Sequence, residues 1–94
     1  MIRVSITDHG IRMDGHAGHG AKGQDIVCAA VSALTCSLAN ALENLTDNPV
    51  QVQTESGQAD IRWEELDEKG RLLVDAWYLG IVAIQEKYRC IDLA

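Results

Sequence analysis

Positive charge is what this sequence has least of. Its 94 residues carry eight Lys and Arg against fourteen Asp and Glu, a formal net charge of −6. The cations are scattered and form no basic stripe of the kind that neutralises phosphates, which excludes nucleic acid as a direct partner. An acidic surface favours a basic partner instead, mainly through encounter rate. Long apolar runs are lacking too. The most apolar segment, Ile26 to Leu45, is interrupted by Ser32, Thr35, Ser37, Asn40, Glu43 and Asn44. It falls short of the ~18 uninterrupted apolar residues that mark a membrane span, so no membrane partner is expected. The opening residues, Met1-Ile2-Arg3-Val4-Ser5, lack the form of a signal peptide and set a cytoplasmic expectation. Proline occurs once, at Pro49, and with 47% hydrophobic and 23% charged residues the chain is too apolar to be disordered. Three cysteines, an odd number, make no disulfide framework. Cys28 and Cys36 fall in one predicted helix, where eight residues of rise span about 12 Å, beyond the ~7 Å a disulfide tolerates. The default role of each cysteine is a small buried hydrophobe.

What is present is patterning. Ile2, Val4 and Ile6 alternate with Arg3, Ser5 and Thr7, a half-buried strand that turns at Asp8-His9-Gly10. Ile11 and Met13 against Arg12 and Asp14 continue as the returning strand, and the same period puts His16 on its polar face. Four glycines between Gly15 and Gly23 predict a mobile loop. A long helix follows, with Gln24 or Asp25 as its N-cap and Val27, Val31, Leu34, Leu38, Ala41 and Leu45 on one face. It stops at Thr46-Asp47-Asn48-Pro49. Val50, Val52 and Thr54 alternate as a third strand, Ser56-Gly57 is a turn, and Ala59, Ile61 and Trp63 mark a fourth strand. A second helix runs from about Asp67 to Tyr88, with Leu73, Trp77, Ile81, Ile84 and Tyr88 on one face. Cys90-Ile91-Asp92-Leu93 closes as a last strand. Residues 1–94 form a single domain of order β-β-α-β-β-α-β. The expected fold is α+β, a two-layer sandwich with a mostly antiparallel sheet and two helices on one face.

The chemistry concentrates in residues 15–32. Cys28 sits in the first turn of the first helix, where backbone amides and the positive end of the helix dipole favour a thiolate. His16 and His19, in the loop before it, are candidate bases, and a thiol with an adjacent base is the constellation of nucleophilic catalysis. The residues alone leave an inert core cysteine equally open. Gly18-His19-Gly20-Ala21-Lys22-Gly23 matches a dinucleotide fingerprint, but no repeated βαβ units surround it. His16, His19 and Cys28 lack a fourth ligand at zinc spacing. Neither a cofactor nor a metal is expected.

The run Gly15-His16-Ala17, a glycine-rich loop, then Asp25-Ile26-Val27-Cys28-Ala29-Ala30-Val31-Ser32 resembles the signature of the ribosomal-processing cysteine protease family, Prp. The His16-to-Cys28 separation fits the catalytic spacing of that family. The likeness extends over nearly the whole chain, through Leu79-Gly80-Ile81 and Tyr88. Two positions depart from it: His19, where an aromatic such as Tyr is typical, and Arg89, where proline is expected. The resemblance implies a cysteine endopeptidase that trims an N-terminal extension from a large-subunit ribosomal protein. It makes His16 the general base and Cys28 the nucleophile, with Asp25 and Ser32 in supporting positions. Ser32, at i+4 from Cys28, shares its helix face. Asp25 either orients the loop or caps the helix, and its charge opposes thiolate formation. The resemblance also implies a homodimer. The competing reading is a non-enzymatic protein-binding module acting in ribosome assembly, with Cys28 in the core.

Overall fold

The alternation in the first fourteen residues folds as strand β1 (Ile2–Thr7), which turns at Asp8 and His9 into β2 (Gly10–Asp14). The computed structural model describes residues 1–15, 26–55 and 57–93. It continues with α1 (Ile26–Leu45), β3 (Gln51–Glu55), β4 (Gln58–Arg62), α2 (Glu68–Tyr88) and β5 (Ile91–Leu93), the order expected of the α+β chain. One sheet holds the five strands in the order β3-β4-β2-β1-β5. The β1–β2, β2–β4 and β3–β4 pairings are antiparallel, and β1–β5 is parallel.

Register puts the apolar side chains of the sheet on one face. Val4 lies opposite Met13, which lies opposite Ala59; Ile6, Ile11, Ile61 and Val52 make the next row, and Ile2 meets Ile91. Ile2, Val4, Ile11, Met13, Ile61 and Ile91 are buried in one core with residues of both helices, which gives the two layers. The opposite face presents Arg3, Arg12, Asp14, Asp60, Arg62 and Asp92. On it Arg62 donates to Asp60 Oδ2 through Nε and Nη2 at 3.2 and 3.0 Å, and Arg12 Nε stands 3.7 Å from Asp14 Oδ2.

The core face of α1 is rotated from the expected one. Val27, Val31 and Leu38 are buried as predicted, but the stripe continues through Thr35, Ala39 and Leu42. Leu34 and Ala41 are half-buried, and Leu45 is 71% exposed. The reason is Thr35. Its Oγ1 lies 2.8 Å from Val31 O and 3.0 Å from Met13 Sδ, and it accepts from Trp77 Nε1 at 3.0 Å. A hydroxyl satisfied in this way enters a core that its polarity would otherwise bar. By length and composition α1 is apolar enough to cross a membrane, but its buried stripe is the part that packs on the sheet and on α2. There Leu34 Cδ1 approaches Gly80 so closely that a Cβ at Gly80 would lie 2.9 Å from it.

Asp67 caps α2 by accepting from Gly70 N–H at 2.9 Å, and Asn48 braces the cap from the α1–β3 connection. The Asn48 amide donates to Asp67 Oδ1 at 2.8 Å, and its carbonyl accepts the Asp67 N–H at 2.9 Å. At the other end Arg89 adopts a left-handed conformation, φ 55°, and its N–H donates to Gln85 O at 2.9 Å. Proline, expected here from the resemblance, has neither that φ nor that N–H, so it could not make the turn that Arg89 makes. The Gln85 side chain then accepts the Ile91 N–H at 2.7 Å and ties β5 to the helix.

Candidate active site

Two strand ends and the start of a helix meet at the site. β2 ends at Asp14, and Gly15 follows with φ 101°, a conformation that favours glycine. A Cβ at Gly15 would lie 2.5 Å from Met1 O, so the position has no space for a side chain. Its N–H donates to Gly57 O at 3.0 Å, which holds the end of β2 against the β3–β4 turn. His16, His19 and Asp25 lie outside the described residues, and with them the expected glycine loop and the N-cap of α1.

Cys28 is the third residue of α1, half-buried and packed against the core. The first turn sets its thiol near the positive end of the helix dipole, as the sequence predicts. Ser32 is one turn further on and exposed. Cys28, Ser32 and Gly15 line one groove of about 450 Å³ between α1 and the β3–β4 hairpin. The groove follows from the sheet order. Ile11 and Ile61 lie under the helices and are buried, whereas Val52 on the edge strand β3, and Ala59 nearer the β3–β4 turn on the same face, are only half-buried. An apolar floor therefore lies beside α1, with Val52 and Ala59 partly open and the buried Met13 and Ile61 beneath.

One wall of the groove is a stripe of α1, Cys28, Ser32, Cys36, Asn40 and Glu43, at steps of four, four, four and three; sequence reasoning had its first two residues and missed the other three. The signal was present, since these residues share the face of Cys28 beside the buried stripe. Opposite stand Thr54, Glu55, Gly57 and Gln58. Cys36 corrects an expectation: the buried-hydrophobe role holds for Cys90, which is 4% exposed, but Cys36 is exposed in the groove wall. Thr35 lies under the same wall, and its bonds to Trp77 and Met13 hold the helix that carries Cys28.

Among the described residues the groove lining includes three acidic residues, Asp14, Glu43 and Glu55, and no Lys, Arg or His. Asp14 has Arg12 beside it, and the ladder places it on the charged face of the sheet. Among the described residues no group of three or more His, Cys, Asp and Glu is placed to hold a metal ion.

Comparison with known proteins gives a consistent answer. The profile of a family described as Cysteine protease Prp matches residues 1–91. The chain is 32% identical over 97 residues to the Ribosomal processing cysteine protease Prp of Staphylococcus aureus, covering 94% of this chain and 92% of that one. It is 32% identical over 87 residues to the protein of the same name from Mycoplasma pneumoniae, covering 93% and 81%. Among solved structures, S. aureus Prp with a covalently linked product peptide superposes with a TM-score of 0.86 at 29% identity, over 98% of this chain and 94% of that one. The same S. aureus protease with a substrate peptide gives 0.79 at 28% identity, over 99% and 95%. A protein from Streptococcus mutans gives 0.79 at 35% identity, over 100% and 96%.

Proposed function

Because the chain belongs to the Prp family and is a cysteine protease, we propose that it removes an N-terminal extension from a large-subunit ribosomal protein, with Cys28 as nucleophile and His16 as general base. The observation that carries this reading is the position of Cys28: first turn of α1, half-buried, at the wall of a groove with an apolar floor. His16 is the residue after Gly15, which lines the same groove and is fixed by its bond to Gly57. One peptide bond thus links the proposed base to a groove residue. The peptides bound to the S. aureus relative support an extended segment of protein as the occupant, and the covalent linkage in one of them supports a route through a covalent intermediate.

The chemistry follows from the thiol. His16 takes the Cys28 proton, and Sγ attacks the scissile carbonyl carbon. The oxyanion that forms is stabilised at the positive end of α1. As the C–N bond breaks, protonated His16 gives its proton to the departing amine and leaves a thioester on Cys28. Water, deprotonated by His16, then attacks the thioester and releases the acid and the thiol. Ser32 contributes a hydroxyl one turn along the groove wall, and Asp25 has a supporting role before α1. The enzyme works in the cytoplasm, as a homodimer.

The test is incubation with the ribosomal precursor encoded in the same genome, beside Cys28→Ala. Wild type shortens the precursor at one N-terminal junction and Cys28→Ala does not. Equal cleavage by both removes Cys28 from the mechanism, and an intact precursor with wild type removes the substrate.

A further inference from the structure

We propose that Glu43 is a specificity residue, selecting substrates that carry a positive charge about six or seven residues from the scissile bond. The proposal rests on the protease reading above and adds a rule of recognition to it. Cys28 and Glu43 stand on the same groove wall, fifteen helical residues apart, which is about 22 Å of rise. An extended peptide advances roughly 3.3 Å per residue, so about six or seven residues bridge the interval. Along it the floor is apolar, formed by Val52, Ala59 and Ile61. Apolar substrate side chains fit there and supply no charge to meet the carboxylate at the end.

The carboxylates of the groove are not equivalent. Asp14 has a cation beside it in Arg12. Glu55 ends β3 opposite Gln58, which itself lies opposite Asp14, so it belongs to the end of the sheet where Gly15 and Gly57 meet. Glu43 stands far along α1, exposed, and among the described residues no cation forms an ion pair with it. With no Lys, Arg or His among the described lining residues, a bound peptide is the source of the complementary charge. That charge is a Lys or Arg side chain or, where the peptide begins at this distance, its α-ammonium.

The experiment uses ten-residue peptides spanning the junction of the ribosomal precursor, with lysine or norleucine at each position four to nine residues from the scissile bond. A second set begins six or seven residues before the scissile bond, with the N-terminus free or acetylated. Cleavage by wild type and binding to Cys28→Ala are both measured, so the result stands even if no peptide is cut. Lysine at six or seven residues should improve kcat/KM and Kd by about two- to fivefold over norleucine, the range of an exposed ion pair. Glu43→Gln should abolish that ratio, Glu43→Lys should invert it, and Glu86→Gln on α2 should leave it as in wild type. If only the free N-terminus gives the effect, the α-ammonium is the group that is read. A lysine preference that Glu43→Lys does not alter, or no preference at any position, overturns the proposal. Absent cleavage with selective binding that depends on Glu43 overturns the protease reading alone.

Discussion

Cys28 and Cys36 make an internal comparison, two thiols on one groove wall two turns apart. They differ in distance from the helix start, where the dipole favours an anion, an effect that fades within the first turn. Iodoacetamide at neutral pH should therefore label Cys28 ahead of Cys36, and peptide mapping of a time course reads the order. In His16→Ala the labelling of Cys28 should persist while cleavage disappears, because proton transfer is lost and the dipole is not. Faster labelling of Cys36 would remove the physical reason for choosing Cys28. His19→Ala should keep most of the cleavage that His16→Ala loses, as precursor assays on both variants would show. Asp67 gives a pH prediction. Hydrogen bonds from Asn48 first, then from the Gly70 N–H, hold its carboxyl below the usual carboxylate range. Its folded pKa is thus lower than its unfolded one, and its contribution to stability is complete above pH ~4 and lost as pH falls through the folded value. Asp67→Asn should flatten the acid limb of Tm against pH, and an unchanged limb would refute this. The place of Cys28 in the first turn of α1 was legible in the sequence because a helix start is a local pattern. The exposure of Cys36 was not, since it depends on which strands α1 leaves uncovered.

At the scale of elements, period and capping did most of the work. The alternation of β1 and β2 and the Asp67 start of α2 needed no tertiary knowledge. The face of α1 did, because a threonine reads as polar until Trp77 and Val31 are known to be its partners. Thr35→Val keeps the shape and leaves the Trp77 N–H without its acceptor, which should cost about 1–3 kcal/mol in denaturant unfolding. A neutral result would mean that the hydroxyl only tolerates burial. Arg89 is the opposite case, a residue in a backbone conformation it disfavours. Arg89→Gly should stabilise by about 1 kcal/mol, which for a domain of this size raises Tm by roughly 4–8 °C. A fall in Tm would show that the Arg89 side chain matters more than its φ.

Across the whole molecule the sheet order decides what the site looks like, and no local signal carries it. The five strands could be read one by one, but β5 beside β1 and β4 beside β2 come from pairings distant in sequence. The groove is what remains of the apolar face when two helices cover only part of five strands. The proposed homodimer also belongs to this scale. One sheet face is charged, while Leu72 and Leu79 on α2 are 68% and 69% exposed and seven residues apart on its outer side. Sedimentation should give twice the 10.2 kDa chain mass, and Leu72→Glu with Leu79→Glu should halve it. A wild-type monomer at micromolar concentration would refute the dimer. The parallel β1–β5 pair has a consequence in time as well as in space. Ile2 pairs with Ile91, and the Ile2 N–H donates to Cys90 O at 2.9 Å, so the interior of the sheet waits for residues made some ninety codons after its first. Contacts of such high sequence separation form slowly. Because Met1 packs over Gly15 at the rim of the groove, a nascent chain lacking β5 should have an unfinished site. The outer edge of β1 then stays unpaired until residues 91–93 have left the ribosome.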